Sequence, residues 1–316
     1  MPDSLVNSIS EDLKISIDLV QSTVINADTL YRSYKIPKKT GGYRIIREPS
    51  ETLKLLQYWA VKKFFYFFPI SKYAMAYESG NSTIKTAQAH IKASHLFHTD
   101  IRNFFPSITD NSFNALLNQH ISEIKAKGLL YPDLEATLDK ILFRNHKACM
   151  GAPSSPHLSN AIMYDFDNEV GNYCENSKLI YTRYSDDIYI SSSKFIKPQV
   201  QSDIFSYIEE HDFIPNYRKT HFYSGKSHIK VTGITIQRHN RLTTGTRWKK
   251  KIKKALYTYI KNGEGEPDEI LGYLTYLKNI EPDYYQRLIR KYSTYLPVKS
   301  ILQLLKEQKN ATQEIE

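Results

Sequence analysis

Residues 181–191, Tyr-Thr-Arg-Tyr-Ser-Asp-Asp-Ile-Tyr-Ile-Ser, set two aromatic and β-branched segments on either side of two adjacent aspartates. The flanks, 179–183 and 188–191, have the composition of short strands. The pattern predicts a hairpin with Asp186 and Asp187 at its tip. Two like charges about 4 Å apart repel by roughly 4 kcal/mol at an effective dielectric near 20. A solvated turn tolerates that, and aspartate is an ordinary turn residue. A partly buried turn needs a cation. Taken alone, the stretch is open to both readings, a polar turn or a metal site.

The rest of the chain narrows the choice. Its 316 residues, 41% of them hydrophobic, suffice for two or three substructures around a substantial core. The two cysteines, Cys149 and Cys174, form no CxxC pair, so neither a zinc site nor a disulfide framework is expected. No run approaches the roughly 18 apolar residues of a membrane span. The longest, Phe-Phe-Tyr-Phe-Phe-Pro-Ile at 64–70, reads as a buried helix end. The N-terminus carries early acids and lacks the basic and apolar regions of a signal peptide. A reducing, cytoplasmic setting without a membrane partner is expected.

Leu5, Ile9, Leu13, Ile17 and Val20 predict a helical lead-in over 5–35. A Gly-Gly turn between basic, strand-like flanks predicts a hairpin over 36–50. Helices are expected over 51–68, from about 82 with Ser82 as cap, over 110–147, and over 199–213. Residues 94–100 read as a strand ending near Asp100, and 149–170 as a Gly/Pro/Ser loop feeding a helix. Strands and a turn follow over 216–236. Near the C-terminus, Ile252, Ala255, Leu256, Tyr259 and Ile260 form an apolar stripe among lysines, and two more helical segments each begin at a proline.

The net charge of +10 is unevenly spread. Residues 241–254 hold seven Lys or Arg and no acid, and 239–316 hold 15 basic and 9 acidic residues, so +6 lies in the last quarter. A basic helical end on a less charged body suggests a polyanion partner. The 24 tyrosines suit stacking on bases or sugars, though most tyrosines simply pack.

Asp100 ends one expected strand and Asp186 and Asp187 tip another. Because strand side chains alternate faces, one of the adjacent pair can share a face with Asp100 while the other supports from the side. Strand-end carboxylates on neighbouring strands can hold two Mg²⁺ ions for in-line phosphoryl transfer.

Three segments in this order carry a family resemblance: His-Thr-Asp-Ile-Arg-Asn-Phe-Phe-Pro-Ser-Ile at 98–108, Gly-Ala-Pro-Ser-Ser-Pro-His-Leu-Ser-Asn at 151–160, and Tyr-Ser-Asp-Asp at 184–187. Together they resemble the first aspartate motif, the template-supporting loop and the YxDD signature of reverse transcriptases. Phe-Phe-Pro-Ser-Ile, Ala-Pro-Ser-Ser-Pro, Tyr-Thr-Arg-Tyr-Ser-Asp-Asp, Arg-Lys-Thr-His-Phe-Tyr-Ser-Gly at 218–225 and Val-Thr-Gly at 231–233 resemble the bacterial retron enzymes in particular.

The resemblance implies an α/β (α+β) right-hand polymerase. Residues 1–35 would be an N-terminal extension, 36–237 the fingers and palm with an antiparallel sheet, and 238–316 a helical basic thumb. It implies that Asp100 and Asp186 ligate two Mg²⁺ ions, with Asp187 supporting and the Ile101 carbonyl contributing. Phe105 falls at the steric-gate position, where its ring would exclude a ribose 2′-OH, while Phe104 reads as core. Gly151, Ala152 and Pro153 would let the backbone approach the nucleotide. Arg44 and Arg47 would meet the triphosphate. Lys219 is a candidate general acid near the pyrophosphate leaving group, the alternative being a solvated lysine. His90, Val231, Thr232 and Gly233 fall where the cognate RNA is selected, though packing is the ordinary role for a histidine such as His90. Arg247, Lys249, Lys250 and Lys253 would track the primer–template backbone.

Two departures stand out. Cys149-Met150 replaces the Pro-Gln of many retron enzymes, and Thr-Ala-Gln-Ala-His at 86–90 keeps Ala87 and His90 of an NAxxH element but loses its Asn. The resemblance implies dNTP substrates, a structured noncoding RNA, 2′-OH priming from a guanosine, a branched RNA–DNA product and an effector protein in phage defence. Other readings are another defence-associated reverse transcriptase, a non-catalytic RNA-binding scaffold and, least favoured, a metal-dependent nuclease.

Overall fold

The computed structural model describes residues 4–38, 41–224, 228–237, 239–296, 302, 303 and 305. The chain opens with helices Leu5–Leu13 and Ile17–Ile25, whose first turns are capped by Ser4 and Ser16 accepting from Asn7 N and Leu19 N. The lead-in is shorter than the spacing suggests. Residues 31–35 belong to strand β1 (Tyr31–Pro37), which pairs antiparallel with β2 (Tyr43–Pro49) in the register Tyr34↔Ile46. The apolar helical period ends at Val20 and Val24, and the partner strand then claims Tyr31 onward. Gly41 and Gly42 take φ of 90° and 77° in the connection, while Lys39 and Thr40 lie outside the described residues.

Ser50 caps helix Glu51–Phe64. The aromatic run behind it buries Phe64, Phe65, Phe67 and Phe68 and leaves Tyr66 outside, as a helix end packed on a core should. Ser82 caps helix Thr83–Ala89 by accepting from Lys85 N. Strand β3 (His95–Asp100) follows, then the short helix Phe104–Ser107. Helices Asp110–Gln119, Ile121–Ala126 and Leu134–Leu142 fill the next stretch. Helices Ser155–Ile162 and Tyr164–Asn176 precede β4 (Ile180–Tyr184) and β5 (Asp187–Ser192). After helix Gln199–Glu210 come β6 (His221–Tyr223), β7 (Ile229–Val231), β8 (Ile234–Gln237) and β9 (Arg241–Thr243). A four-stranded sheet has the order β4-β5-β3-β6, and β7-β8-β9 form an antiparallel three-stranded sheet.

Contacts divide the chain into two units. One comprises Met1–Gly80, Phe97–Ile190 and Lys197–His221; the other comprises Asn81–Leu96, Ser191–Ile196 and Phe222–Glu316. The second unit contains helices Gly245–Asn262, Pro267–Ile280 and Pro282–Ser293. Ile252, Leu256 and Tyr259 of the apolar stripe are buried against Ile270, Leu274, Leu277, Leu288 and Tyr292, with Ala255 and Ile260 packed at the edge. Glu281 ties this bundle to the end of β9. Its Oε1 accepts from Thr243 Oγ1 at 2.8 Å and from Thr244 N at 2.9 Å, and its Oε2 pairs with Lys249 Nζ at 2.5 Å. Among the described residues, no helix is long and apolar enough to cross a membrane.

Candidate active site

The sheet order places β3 beside β5, and thus Asp100 beside the tip between β4 and β5. The connection is tight: Ser185 takes a left-handed φ of 60°, and Asp187 already begins β5. Ile101 N donates to Asp186 O at 3.0 Å, which locks the two acidic segments together just past Asp100. On its other side Asp100 O accepts from Asn216 N at 2.9 Å, and Thr99 Oγ1 lies 2.8 Å from Thr220 Oγ1.

Asp100 is 3% exposed. Its Oδ2 pairs with Lys219 Nζ, while its Oδ1 is buried and has no hydrogen-bond partner among the described residues. A buried acceptor without a donor costs about 1–3 kcal/mol. Asp186 is pushed up to about 6, first by burial, then by the charges of Asp187 and Asp100. Both observations fit a bound cation, which would satisfy Oδ1 and relieve the repulsion. Hard carboxylate oxygens in small number suit Mg²⁺, which keeps water and substrate phosphate as its remaining ligands. Among the described residues no three His, Cys, Asp or Glu side chains stand together as a ready-made metal group. Asp187 is turned aside, its Oδ1 2.9 Å from His98 Nε2.

Burial opposes the charge of Lys219, but the hydrogen bond and charge of Asp100 outweigh it and hold the ammonium above its ordinary value. Phe104 is buried against Phe213, and Phe105 is half-buried beside it, with ring centroids 5.4 Å apart. Ile101 is buried and bridges Pro215. Gly151 has φ of 114°, and a Cβ there would meet Arg47 O at 2.8 Å. The glycine therefore serves a close approach to β2, and Arg47 N donates to Met150 O at 2.8 Å. Ala152 is buried. Arg44 is exposed and Arg47 half-buried; three residues apart on one strand, they lie on opposite faces.

Two sequence expectations need correction. His90 is fully buried with Nδ1 2.7 Å from Ser191 Oγ, and burial pushes it down to about 4, so its ring is a packing group with no surface for RNA. Val231 is likewise buried. Thr232 is half-buried and donates to Thr83 O at 2.9 Å; Gly233 alone of the Val-Thr-Gly triplet is exposed. On helix Gly245–Asn262, Arg247, Lys250 and Lys253 are exposed, whereas Lys249 is half-buried on Glu281. Arg287 joins this face: Lys249, Lys253 and Arg287 lie 4.5, 5.9 and 6.0 Å from the Tyr284 ring. Cys149 and Cys174 are buried and free.

Sequence reasoning also missed a buried network behind the tip. Arg183 and Asp167, both 0% exposed, form a two-pronged pair at 2.8 and 2.7 Å. Tyr181 donates to the same carboxylate at 2.7 Å. An arginine within a strand-like run of tyrosines was the available signal.

The family model described as "Reverse transcriptase (RNA-dependent DNA polymerase)" matches residues 36–236. The chain is 29% identical over 292 residues to the retron Ec86 reverse transcriptase of Escherichia coli, covering 90% of this chain and 87% of that one. It is 30% identical over 281 residues to the retron Ec83 reverse transcriptase of Escherichia coli, covering 84% and 87%. Among solved structures it resembles apo telomerase from Candida tropicalis, with a TM-score of 0.51 at 10% identity, covering 84% of this chain and 58% of that one. The telomerase likeness concerns the fold alone, and the chain spans under two-thirds of its length. The matched family, the extent of the retron similarities and a fold that brings the acidic segments together lead to one conclusion: the chain belongs to the retron reverse transcriptases, a family of RNA-directed DNA polymerases.

Proposed function

We propose that this polymerase copies part of a structured noncoding RNA into DNA, starting from the 2′-OH of a guanosine in that RNA. The product is a branched RNA–DNA molecule (msDNA), and enzyme and product act in the cytoplasm with an effector protein in phage defence. Residues 36–237 are the fingers and palm, 238–316 the thumb and 1–35 an N-terminal extension. The observation that carries the catalytic reading is the buried Asp100 Oδ1, which has no donor among the described residues, next to an Asp186 whose charge is disfavoured.

Asp100 and Asp186 hold the metal, with Asp187 behind them. Two Mg²⁺ ions, when bound, supply activation of the attacking hydroxyl and neutralisation of charge on the transferred phosphoryl group. Lys219 donates a proton or a positive charge to the leaving pyrophosphate, a role supported by its pairing with Asp100, which keeps it protonated. Phe105 closes the sugar pocket against a 2′-OH. Gly151 lets the 149–153 loop fix β2, so that Arg47 is held for the triphosphate. In the thumb, Arg247, Lys250 and Lys253 contact phosphates of the hybrid, with Lys249 contributing less because it pairs with Glu281, and Gly233 belongs to the region that selects the cognate RNA. Asp186→Ala tests the reading: templated DNA synthesis should fall by about 10³-fold or more with RNA binding retained. Unchanged synthesis would remove the metal reading and favour the scaffold alternative.

A further inference from the structure

Arg183 spends its guanidinium on four hydrogen bonds inside the first unit. Nε and Nη2 donate to Asp167 at 2.8 and 2.7 Å, Nη2 also reaches Asn160 Oδ1 at 3.3 Å, and Nη1 donates to Ser185 O at 2.9 Å. The last acceptor is the carbonyl of the left-handed residue that precedes Asp186. The peptide carrying that carbonyl is also the peptide that sets the Asp186 backbone.

The network closes on itself. Asn160, the last residue of the Gly-Ala-Pro-Ser-Ser-Pro-His-Leu-Ser-Asn segment, donates from Nδ2 to Ala76 O at 2.8 Å and to Glu78 Oε1 at 2.9 Å. Those two bonds flank Tyr77, whose φ of 67° is unusual for a bulky residue. Tyr77 Oη in turn lies 2.9 Å from Ser185 Oγ. Arg183 N and O bond Tyr73 O at 2.9 Å and Met75 N at 2.8 Å, so the 73–78 segment runs beside β4 up to the tip. Ser185 is therefore gripped at its carbonyl by Arg183 and at its hydroxyl by Tyr77, and both grips return to Asn160.

A buried ion pair is a poor source of net stability, because desolvating two charges offsets most of their attraction. Its fork geometry, however, fixes direction, and a lysine cannot reproduce it. We propose that Arg183 is a positioning residue for the Asp186 carboxylate, acting through the Ser185 carbonyl, with Asp167, Asn160 and Tyr77 holding the frame. The inference rests on Asp186 being a metal ligand.

The test replaces both charges at once by apolar side chains, Arg183→Met with Asp167→Leu, so that no lone buried charge remains. Thermal unfolding, Mn²⁺ binding followed by electron paramagnetic resonance, and kcat and KM for dNTP are read on the full chain with its RNA. The expected result is a folded protein with kcat lowered about 10- to 100-fold, KM for dNTP changed less than about threefold, and Mn²⁺ bound more weakly. Tyr77→Phe leaves the ion pair intact and decides the matter if the double variant does not fold; its kcat should fall about threefold or more with an unchanged melting temperature. Wild-type kcat and Mn²⁺ binding in the folded double variant, or in Tyr77→Phe if that variant decides, overturns the proposal. Asp186→Asn is the control. If it is inactive while the double variant is normal, only the Arg183 alignment fails. If it is itself fully active, the reading of Asp186 fails and the alignment with it.

Discussion

His98 Nε2 lies 2.9 Å from Asp187 Oδ1, and the imidazole stacks on Tyr189 with ring centroids 4.8 Å apart. The second aspartate of the tip is thus held by a neighbour two residues before Asp100, on the same face of β3. A group that orients a ligand's partner typically matters about 10- to 100-fold when removed. His98→Ala should lower kcat by that amount, and Asp187→Asn should be milder than Asp186→Asn. Primer-extension rates of the three variants check this; Asp187→Asn equal to or worse than Asp186→Asn would contradict the division of labour.

Gly151→Ala should damage nucleotide use more than folding. The new Cβ would sit 2.8 Å from Arg47 O and 2.8 Å from Ile46 Cγ2, in a backbone with φ of 114° that L-residues rarely adopt. Backbone strain of this kind costs about 1–3 kcal/mol, released here by moving β2 away from the loop. KM for dNTP is expected to rise about tenfold or more, with a loss of a few degrees in melting temperature. A wild-type KM would mean that the loop does not set Arg47.

If Phe105 acts as the proposed steric gate, Phe105→Ala relaxes sugar selection without removing Phe104 from the core. Ribonucleotide incorporation, measured as the ratio of kcat/KM for dGTP and GTP, should shift toward GTP by about tenfold or more. An unchanged ratio would assign the ring to packing.

His90 gives the fold a pH dependence. Its ordinary value is 6.5, and burial pushes it down to about 4 in the folded chain. Between those values the unfolded chain binds a proton that the folded chain refuses, so stability rises with pH through the window and is lost as pH falls from about 6.5 toward 4. The loss amounts to about 3 kcal/mol at most. Denaturant unfolding of His90→Gln against the unsubstituted chain at pH 5 and 7.5 measures it: the pH sensitivity should shrink in the variant, and an equal sensitivity would place it elsewhere.

Lys250→Ala and Lys253→Ala should weaken RNA and hybrid binding at low salt. Each lysine that contacts a phosphate contributes about one unit to the slope of log affinity against log salt. Lys249 is different, because its ammonium already pairs with Glu281. Filter binding from 50 to 300 mM salt should show a shallower slope for the double variant; an unchanged slope would remove these lysines from the interface.

What the sequence disclosed follows from the range of the interactions involved. Ser82 and the apolar stripe at Ile252, Leu256 and Tyr259 act within a turn or two of helix, so local spacing revealed them. Asp100 and Asp186 stood out because each sits in a short motif segment whose order along the chain is itself legible. Hidden features depend on distant partners: Tyr77 and Ser185 are 108 residues apart, and His98 and Asp187 are 89 apart. Packing was the ordinary reading for His90 and burial is the common state of valine, but the motif positions of His90 and Val231 pointed to RNA instead. Gly151 was expected to let the backbone approach the nucleotide, whereas the fold shows a close approach to Arg47 of β2.

The most direct measurement is on protein purified from cells carrying its native locus. The bound nucleic acid is run on a denaturing gel, with and without RNase and DNase. The expected result is a DNA that shortens under RNase and carries a branch that resists strand separation, absent from the Asp186→Ala protein. RNA without DNA, or no nucleic acid at all, would contradict synthesis of a branched RNA–DNA by this enzyme.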